Sequence, residues 1–197
     1  MLKAGVTLYF VRHGETDWNR AQRYQGRQDI PLNATGREQA KRNGRRLAAA
    51  LGARPGDLDY VSSPLLRASE TMEILRAAMG LERSAYLTDE RLLEVDYGSW
   101  EGQLWHEMVK LDAEGHAARL ADVWNWRAPG GESYRMVADR VCSWLKEVAS
   151  DTVVVAHGGV SRALRVVLLD LPVGEIMRLE VPQDRILVLN ANAARWL

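Results

Sequence analysis

The 197-residue chain predicts an α/β fold, a three-layer α/β/α sandwich around a mostly parallel central sheet. Three observations carry this. Thr7–Val11 is a short run rich in strand-forming residues and Thr152–Ala156 a more continuously apolar one, and both are of the kind that forms strands covered on both faces. Such runs alternate along the chain with helical stretches, which is the pattern of parallel crossover units. Each of the two runs is followed at once by His-Gly, so a histidine stands at each strand's carboxyl end, where open α/β sheets bind ligands.

Taken in order, Thr7–Val11 is the first strand. Thr35-Gly36-Arg37-Glu38 has the Thr-x-x-Glu spacing of a capping box and opens a helix rich in Ala, Arg, Lys and Leu that stops at Gly52. Leu58–Ser62 is a short strand, and Leu65–Met79 a second helix with Gly80 beyond its end. The segment at about 100–130 is the least regular: it sets Trp100, Trp105, Trp124 and Trp126 among charges and ends at Pro129-Gly130-Gly131, so it reads as a lid-like insertion over one end of the sheet. Ser133 opens a helix with Val137, Val141, Leu145 and Val148 at helical spacing. Thr152–Ala156 is the next strand, Val160–Leu169 the next helix and Arg185–Asn190 the last strand. Length fits a single domain over 1–197, since one core serves up to about 250 residues.

Composition excludes several classes of function. Lys plus Arg and Asp plus Glu both total 26, so no net field recommends nucleic acid or an acidic membrane. Arg42, Arg45 and Arg46 read as a solvated helix face. No apolar stretch approaches the roughly 18 residues of a membrane span, and the first residues lack a signal-peptide pattern, so the expected location is cytoplasmic. The single Cys142 reads as a packed helix residue in a reducing compartment.

Phosphoryl transfer needs a nucleophile, cations for the equatorial oxygens and an acid for the leaving oxygen. His13 offers a ring nitrogen, and Arg12 and Arg67 offer planar forks that match phosphate geometry. Gly14 and Gly158 let backbone approach an anion. Glu94 is the candidate acid. Two histidines and a carboxylate are also metal-ligand types, but Arg12 and Arg67 beside them repel a divalent cation, so neither a metal nor a cofactor is expected. His106 and His116, in the charged segment, read as solvated side chains without a role. Trp105, Trp124 and Trp126 divide between capping a pocket and packing the insertion.

Val11-Arg12-His13-Gly14-Glu15-Thr16-Asp17-Trp18-Asn19 resembles the signature of the histidine phosphatase superfamily, the phosphoglycerate-mutase-like proteins. Tyr24-Gln25-Gly26, Ser62–Thr71, Glu94–Gly102 and Val155–Gly159 resemble that family's later segments, so the likeness spans most of the chain. It implies a phosphoglycerate-mutase-like sandwich and a phosphate pocket of Arg12, His13, Arg67 and His157. In that pocket His13 is phosphorylated, a protonated His157 supplies charge, and Asn19 and the Gly158 amide complete the shell. Glu94 then protonates the leaving alkoxide and later activates water, and Gln25 and Gly26 touch substrate.

The implied partner is a small-molecule phosphate ester, with a homodimer left open. The sequence after Glu94, Val95-Asp96-Tyr97-Gly98-Ser99-Trp100-Glu101-Gly102, lacks the paired arginine with which phosphoglycerate mutases grip a second phosphate. It looks like the phosphatase branch, which includes broad-specificity and alpha-ribazole phosphatases. Hydrolysis is the expected reaction; a cofactor-dependent mutase and a non-catalytic phosphate-binding module are the alternatives.

Overall fold

The computed structural model describes residues 2–191 and 193–197. Its sheet has six strands: β1 (Leu8–Arg12), β2 (Asp59–Ser62), β3 (Leu87–Thr88), β4 (Thr152–Ala156), β5 (Ile186–Leu189) and β6 (Ala194–Trp196). They lie in the order β3-β2-β4-β1-β5-β6. The β3–β2, β2–β4 and β4–β1 pairings are parallel, and β1–β5 and β5–β6 are antiparallel.

Period-two alternation of the two central strands builds both outer layers. Leu8 and Phe10 of β1, with Val154 and Ala156 of β4, enter the larger core. That core is completed by α6 (Tyr134–Glu147) and α7 (Gly158–Leu169) through Val137, Val141, Leu145, Val160 and Leu164. Val11, Val153 and Val155 point the other way, against Leu47 and Leu51 of α2 (Ala34–Leu51) and Ala68, Met72 and Leu75 of α3 (Leu66–Ala78). All five residues of β4 are buried, which is why its sequence is a run of apolar residues rather than an alternation.

Three expectations are corrected. The first long helix begins at Ala34, and its cap is Asn33, whose side chain accepts the Gly36 N–H at 2.9 Å; Thr35 lies inside the first turn, so the Thr35–Glu38 capping box does not form. The helix after the second histidine starts at Gly158 rather than Val160. The strand at Arg185–Asn190, observed as β5, is not the last, since β6 follows it; β5 runs antiparallel to β1, with Leu8 opposite Leu189. Its direction follows from the connection before it. α7 carries the chain away from the carboxyl end of β4, and residues 173–185 bring it back there before β5 descends. That return path delivers Val181 and Gln183 to the functional site.

The segment at 100–130 is not irregular throughout. It holds two short helices, α4 (Met108–Leu111) and α5 (Ala113–Ala121), besides 3-10 turns. It is pinned by Trp100, which is 1% exposed, packs with Tyr24, Met108 and Ala128, and donates its indole N–H to Asp112 Oδ2 at 2.9 Å. Of the other tryptophans, Trp126 packs against Trp100 with the rings tilted by 48° and centroids 4.4 Å apart, Trp124 packs against the larger core, and Trp105 faces a cavity. Cys142 is half-buried on α6, and Arg42, Arg45 and Arg46 are exposed on α2. Among the described residues no helix is long and apolar enough to cross a membrane.

Candidate active site

Register places the two histidines side by side. Arg12 of β1 pairs with Ala156 of β4, so the next residue of each strand, His13 and His157, emerges at the same level of adjacent strands. Their ring centroids are 5.1 Å apart. His13 is 1% exposed and its Nδ1 lies 2.8 Å from the carbonyl oxygen of Gly14. A carbonyl only accepts, so Nδ1 carries the proton and Nε2 keeps its lone pair. The turn that permits this is tight: a Cβ on Gly14 would run into the backbone of Gly36, and the Gly14 N–H donates to Thr71 Oγ1 at 3.0 Å.

A cavity of about 320 Å³ opens beside His13. Of the residues singled out in the sequence, Arg12, His13, Asn19, Gln25, Gly26, Glu94 and Gly158 line it. His157 and Arg67 are fully buried behind that lining. His157 Nε2 is 2.8 Å from Ser63 Oγ, and its Nδ1 has no partner. Arg67 donates to the carbonyl oxygens of Gln28 and Gly26, both at 2.7 Å, so it holds the Gln25–Gln28 loop against the site while its Nε stays unpartnered. Arg12 donates to Val181 O at 2.7 Å, and its Nε too is buried without a partner. Orphaned donors of this kind cost free energy unless a ligand meets them.

The polar network also orients the two amides. Asn19 sits on the short helix α1 (Asp17–Arg20), whose cap is Thr16. Its Oδ1 accepts from the Thr16 N–H at 3.2 Å and from Gln183 Nε2 at 3.0 Å. Gln25 Oε1 accepts from Thr16 Oγ1 at 2.9 Å. With both carbonyl ends engaged, the NH2 ends are what Asn19 and Gln25 offer an anion.

Glu94 is held by one oxygen. Its Oε1 accepts from the Val95 N–H at 2.9 Å and the Gly159 N–H at 3.0 Å, the latter at the start of α7, and Oε2 is left for the cavity. Behind it, Arg140 donates to the carbonyls of Glu94 (3.2 Å) and Arg91 (2.6 Å) and pairs with Glu132 at 3.1 Å, fixing the loop that carries the carboxylate.

The electrostatics are those of a site short of negative charge. Burial, with Arg67 and Arg12 nearby, pushes His13 well below the usual histidine range. Burial, Arg67 and His13 do the same to His157. Burial also brings Arg12 down to about 10, still charged at neutral pH, and lowers Arg67. Burial and the two arginines therefore oppose a standing positive charge on His157 where no anion is bound.

Several lining residues were not singled out by the sequence: Arg23, Tyr97, Arg119, Arg162, Met177 and Val181. His116, expected to have no role, lines the cavity as well, whereas His106 is exposed. Helical spacing held a signal for some of these. Arg162 is one turn beyond Gly158 on α7, and His116 and Arg119 are three apart on α5. A larger groove of about 450 Å³ lies at the β2–β3 edge, lined by residues from Pro55 to Leu87. Its arginine, Arg76, is already stacked on the Tyr60 ring and bonded to Glu82 O, and it shares no residue with the histidine site. Among the described residues no group of three or more His, Cys, Asp or Glu side chains is arranged to hold a metal ion.

Paired strand-end histidines, unpartnered arginine nitrogens and a carboxylate with one open oxygen define an oxyanion site suited to phosphoryl chemistry. The chain belongs to the histidine phosphatase superfamily, branch 1, whose family model matches residues 8–197. It is 34% identical over 198 aligned positions to "Probable phosphoglycerate mutase GpmB" of Salmonella paratyphi C, covering 98% of this chain and 88% of that one. Among solved structures it resembles a mycobacterial glucosyl-3-phosphoglycerate phosphatase in complex with VO3, at 33% identity and a TM-score of 0.77, covering 98% and 96% of the two chains. It also resembles the alpha-ribazole phosphatase of Shigella flexneri, at 26% identity and a TM-score of 0.79, covering 94% and 90%.

Proposed function

We propose that this protein hydrolyses small-molecule phosphomonoesters through a phosphohistidine on His13, without a metal ion. The observation that carries the reading is the fixed tautomer of His13: Nδ1 donates to Gly14 O, so Nε2 is a neutral nucleophile next to orphaned arginine nitrogens. Nε2 attacks phosphorus as the ester P–O bond breaks, and the departing alkoxide takes a proton from the Glu94 carboxyl. The Glu94 carboxylate then takes a proton from water, whose oxygen attacks phosphorus; the P–N bond breaks and the His13 lone pair is restored. Arg12, Arg67, the NH2 ends of Asn19 and Gln25 and the Gly158 backbone carry the phosphoryl oxygens. The bound dianion draws a proton onto His157, which then supplies charge during transfer. The two arginines already supply the stabilisation a divalent ion would give and disfavour its approach.

Water as acceptor is supported by two solved relatives named as phosphatases, matched over nine-tenths or more of each chain. Residues 100–130 serve as a lid over one domain spanning 1–197, limiting water to the one that reacts. The test is phosphate release with EDTA present, from p-nitrophenyl phosphate, 3-phosphoglycerate, fructose bisphosphate and alpha-ribazole phosphate. Release by the wild type and not by His13→Ala is expected. Isomerisation of phosphoglycerate without release replaces hydrolysis by mutase chemistry at the same histidine.

A further inference from the structure

The cavity carries more positive charge than one phosphoryl group consumes. Arg12 is joined in its lining by Arg23, Arg119 and Arg162, and among the described residues the one carboxylate there is Glu94. Arg23 donates to Gly102 O at 2.6 Å, Arg162 to Leu179 O at 3.2 Å, and Arg119 meets Met177 Sδ at 3.6 Å and stands over the Trp126 ring, 6.0 Å from its centroid. Among the described residues none of these three forms an ion pair, although nine other arginines of the protein do. Three half-buried guanidiniums without counter-ions, converging on one cavity, are an arrangement that a ligand's own charge stabilises.

Their placement divides the cavity. Arg162 follows Gly158 by one turn of α7 and belongs to the inner end. Arg119 and His116 face the cavity from successive turns of α5, and Arg23 faces it from the chain after α1, bridged to the same segment through Leu104. The rings of Tyr24, Tyr97 and Trp105 line the same cavity, with the Tyr24 centroid 4.8 Å from that of Tyr97 and 6.1 Å from that of Trp105. We propose that the outer end is a second oxyanion site, in which Arg23, Arg119 and His116 hold a carboxylate or a second phosphate on the alcohol portion of the substrate, while the aromatic rings hold the carbon skeleton between the two anions. A paired arginine after Glu94 is absent from this chain, and the charge comes instead from α5 and from the chain after α1.

The proposal rests on the phosphatase reading for which end receives the scissile phosphate, and the test separates the two. Three non-hydrolysable ligands are compared by calorimetry: benzylphosphonate, 4-carboxybenzylphosphonate and p-xylylene bisphosphonate. Phenyl phosphate and 4-carboxyphenyl phosphate are compared as substrates. Tighter binding of at least one doubly anionic ligand by about tenfold or more is expected, the size of a charge-assisted hydrogen bond; which of the two is tighter distinguishes carboxylate from phosphate. Arg119→Gln and Arg23→Gln are expected to bring the ratio of doubly to singly anionic affinity towards one. Equal affinities in the wild type, or variants that weaken all three ligands by the same factor, overturn the proposal. A doubly anionic preference in binding with no turnover of either ester leaves the second anion site standing and removes the phosphatase reading.

Discussion

Gly159→Ala isolates the placement of the Glu94 carboxylate from the rest of the site. The Gly159 N–H donates to Glu94 Oε1 at 3.0 Å, and a Cβ on residue 159 would stand 2.5 Å from that oxygen while also striking Val95 Cγ2. Ordinary contact begins at 3.4 Å, so the carboxylate has to retreat by about 0.9 Å. A misplacement of about 1 Å costs roughly 10²-fold in rate, or about 2.7 kcal/mol of transition-state stabilisation. Alanine's better helix propensity, worth about 1 kcal/mol within α7, works against any loss of stability, so the damage falls on chemistry rather than folding. Rapid-quench measurement of the first turnover reads the phosphorylation step alone. An alkyl phosphate, whose alkoxide needs the Glu94 proton, is expected to lose roughly 10²-fold in that step, and p-nitrophenyl phosphate, whose leaving group departs without protonation, much less. Equal losses for both esters, or none, refute the assignment of Glu94 as the acid.

Four further outcomes are expected. Because burial and the arginines lower both His13 and His157, the folded protein resists protonating them while the unfolded chain protonates near pH 6.5; their contribution to stability is present above that pH and is lost as pH falls below it towards the folded values. A dianion in the pocket reverses that opposition, so sulfate binding near pH 7 should take up protons, detected as a dependence of binding enthalpy on buffer ionisation; zero uptake contradicts the proposed charging of His157. Gln183→Leu removes the donor shared by His13 O (3.1 Å) and Asn19 Oδ1 (3.0 Å), freeing the Asn19 amide to turn, and should raise KM up to about tenfold with a smaller change in kcat. An unchanged KM removes Gln183 from positioning. Trp100→Ala empties the centre of the Tyr24–Met108–Ala128 cluster and should cost about 3–5 kcal/mol in chemical unfolding; a loss under 1 kcal/mol would mean that residues 100–130 are held by something other than that ring.

The frame of this molecule was legible because β1, β4, α6 and α7 announce themselves by apolar period, and the His-Gly pairs sit where those strands must end. The direction of β5 was not, since the pattern Ile186–Leu189 is the same read either way and only the return of residues 173–185 decides it. β3 was invisible: its two residues are both exposed, Leu87 at 72%, and carry no burial pattern. Asn33 and Thr35 are both cap-forming residue types, and only the backbone at Asn33, extended with ψ near −179°, shows which one caps. The inner site was legible through its resemblance to a family and through the chemistry of Arg12, His13, Arg67, Glu94 and His157. Its outer half was not, because Arg23, Arg119 and His116 stand among other polar residues and read like any solvated charge; their unpaired state emerges only when α5 is folded over the sheet end.

The central claim is tested most directly by mixing the protein with an excess of a 32P-labelled phosphomonoester in EDTA, quenching within the first turnover and mapping the label. The account predicts a stoichiometric, acid-labile and alkali-stable label on His13 that is absent from His13→Ala. Hydrolysis proceeding at full rate with no covalent label, or with label on another residue, would contradict it.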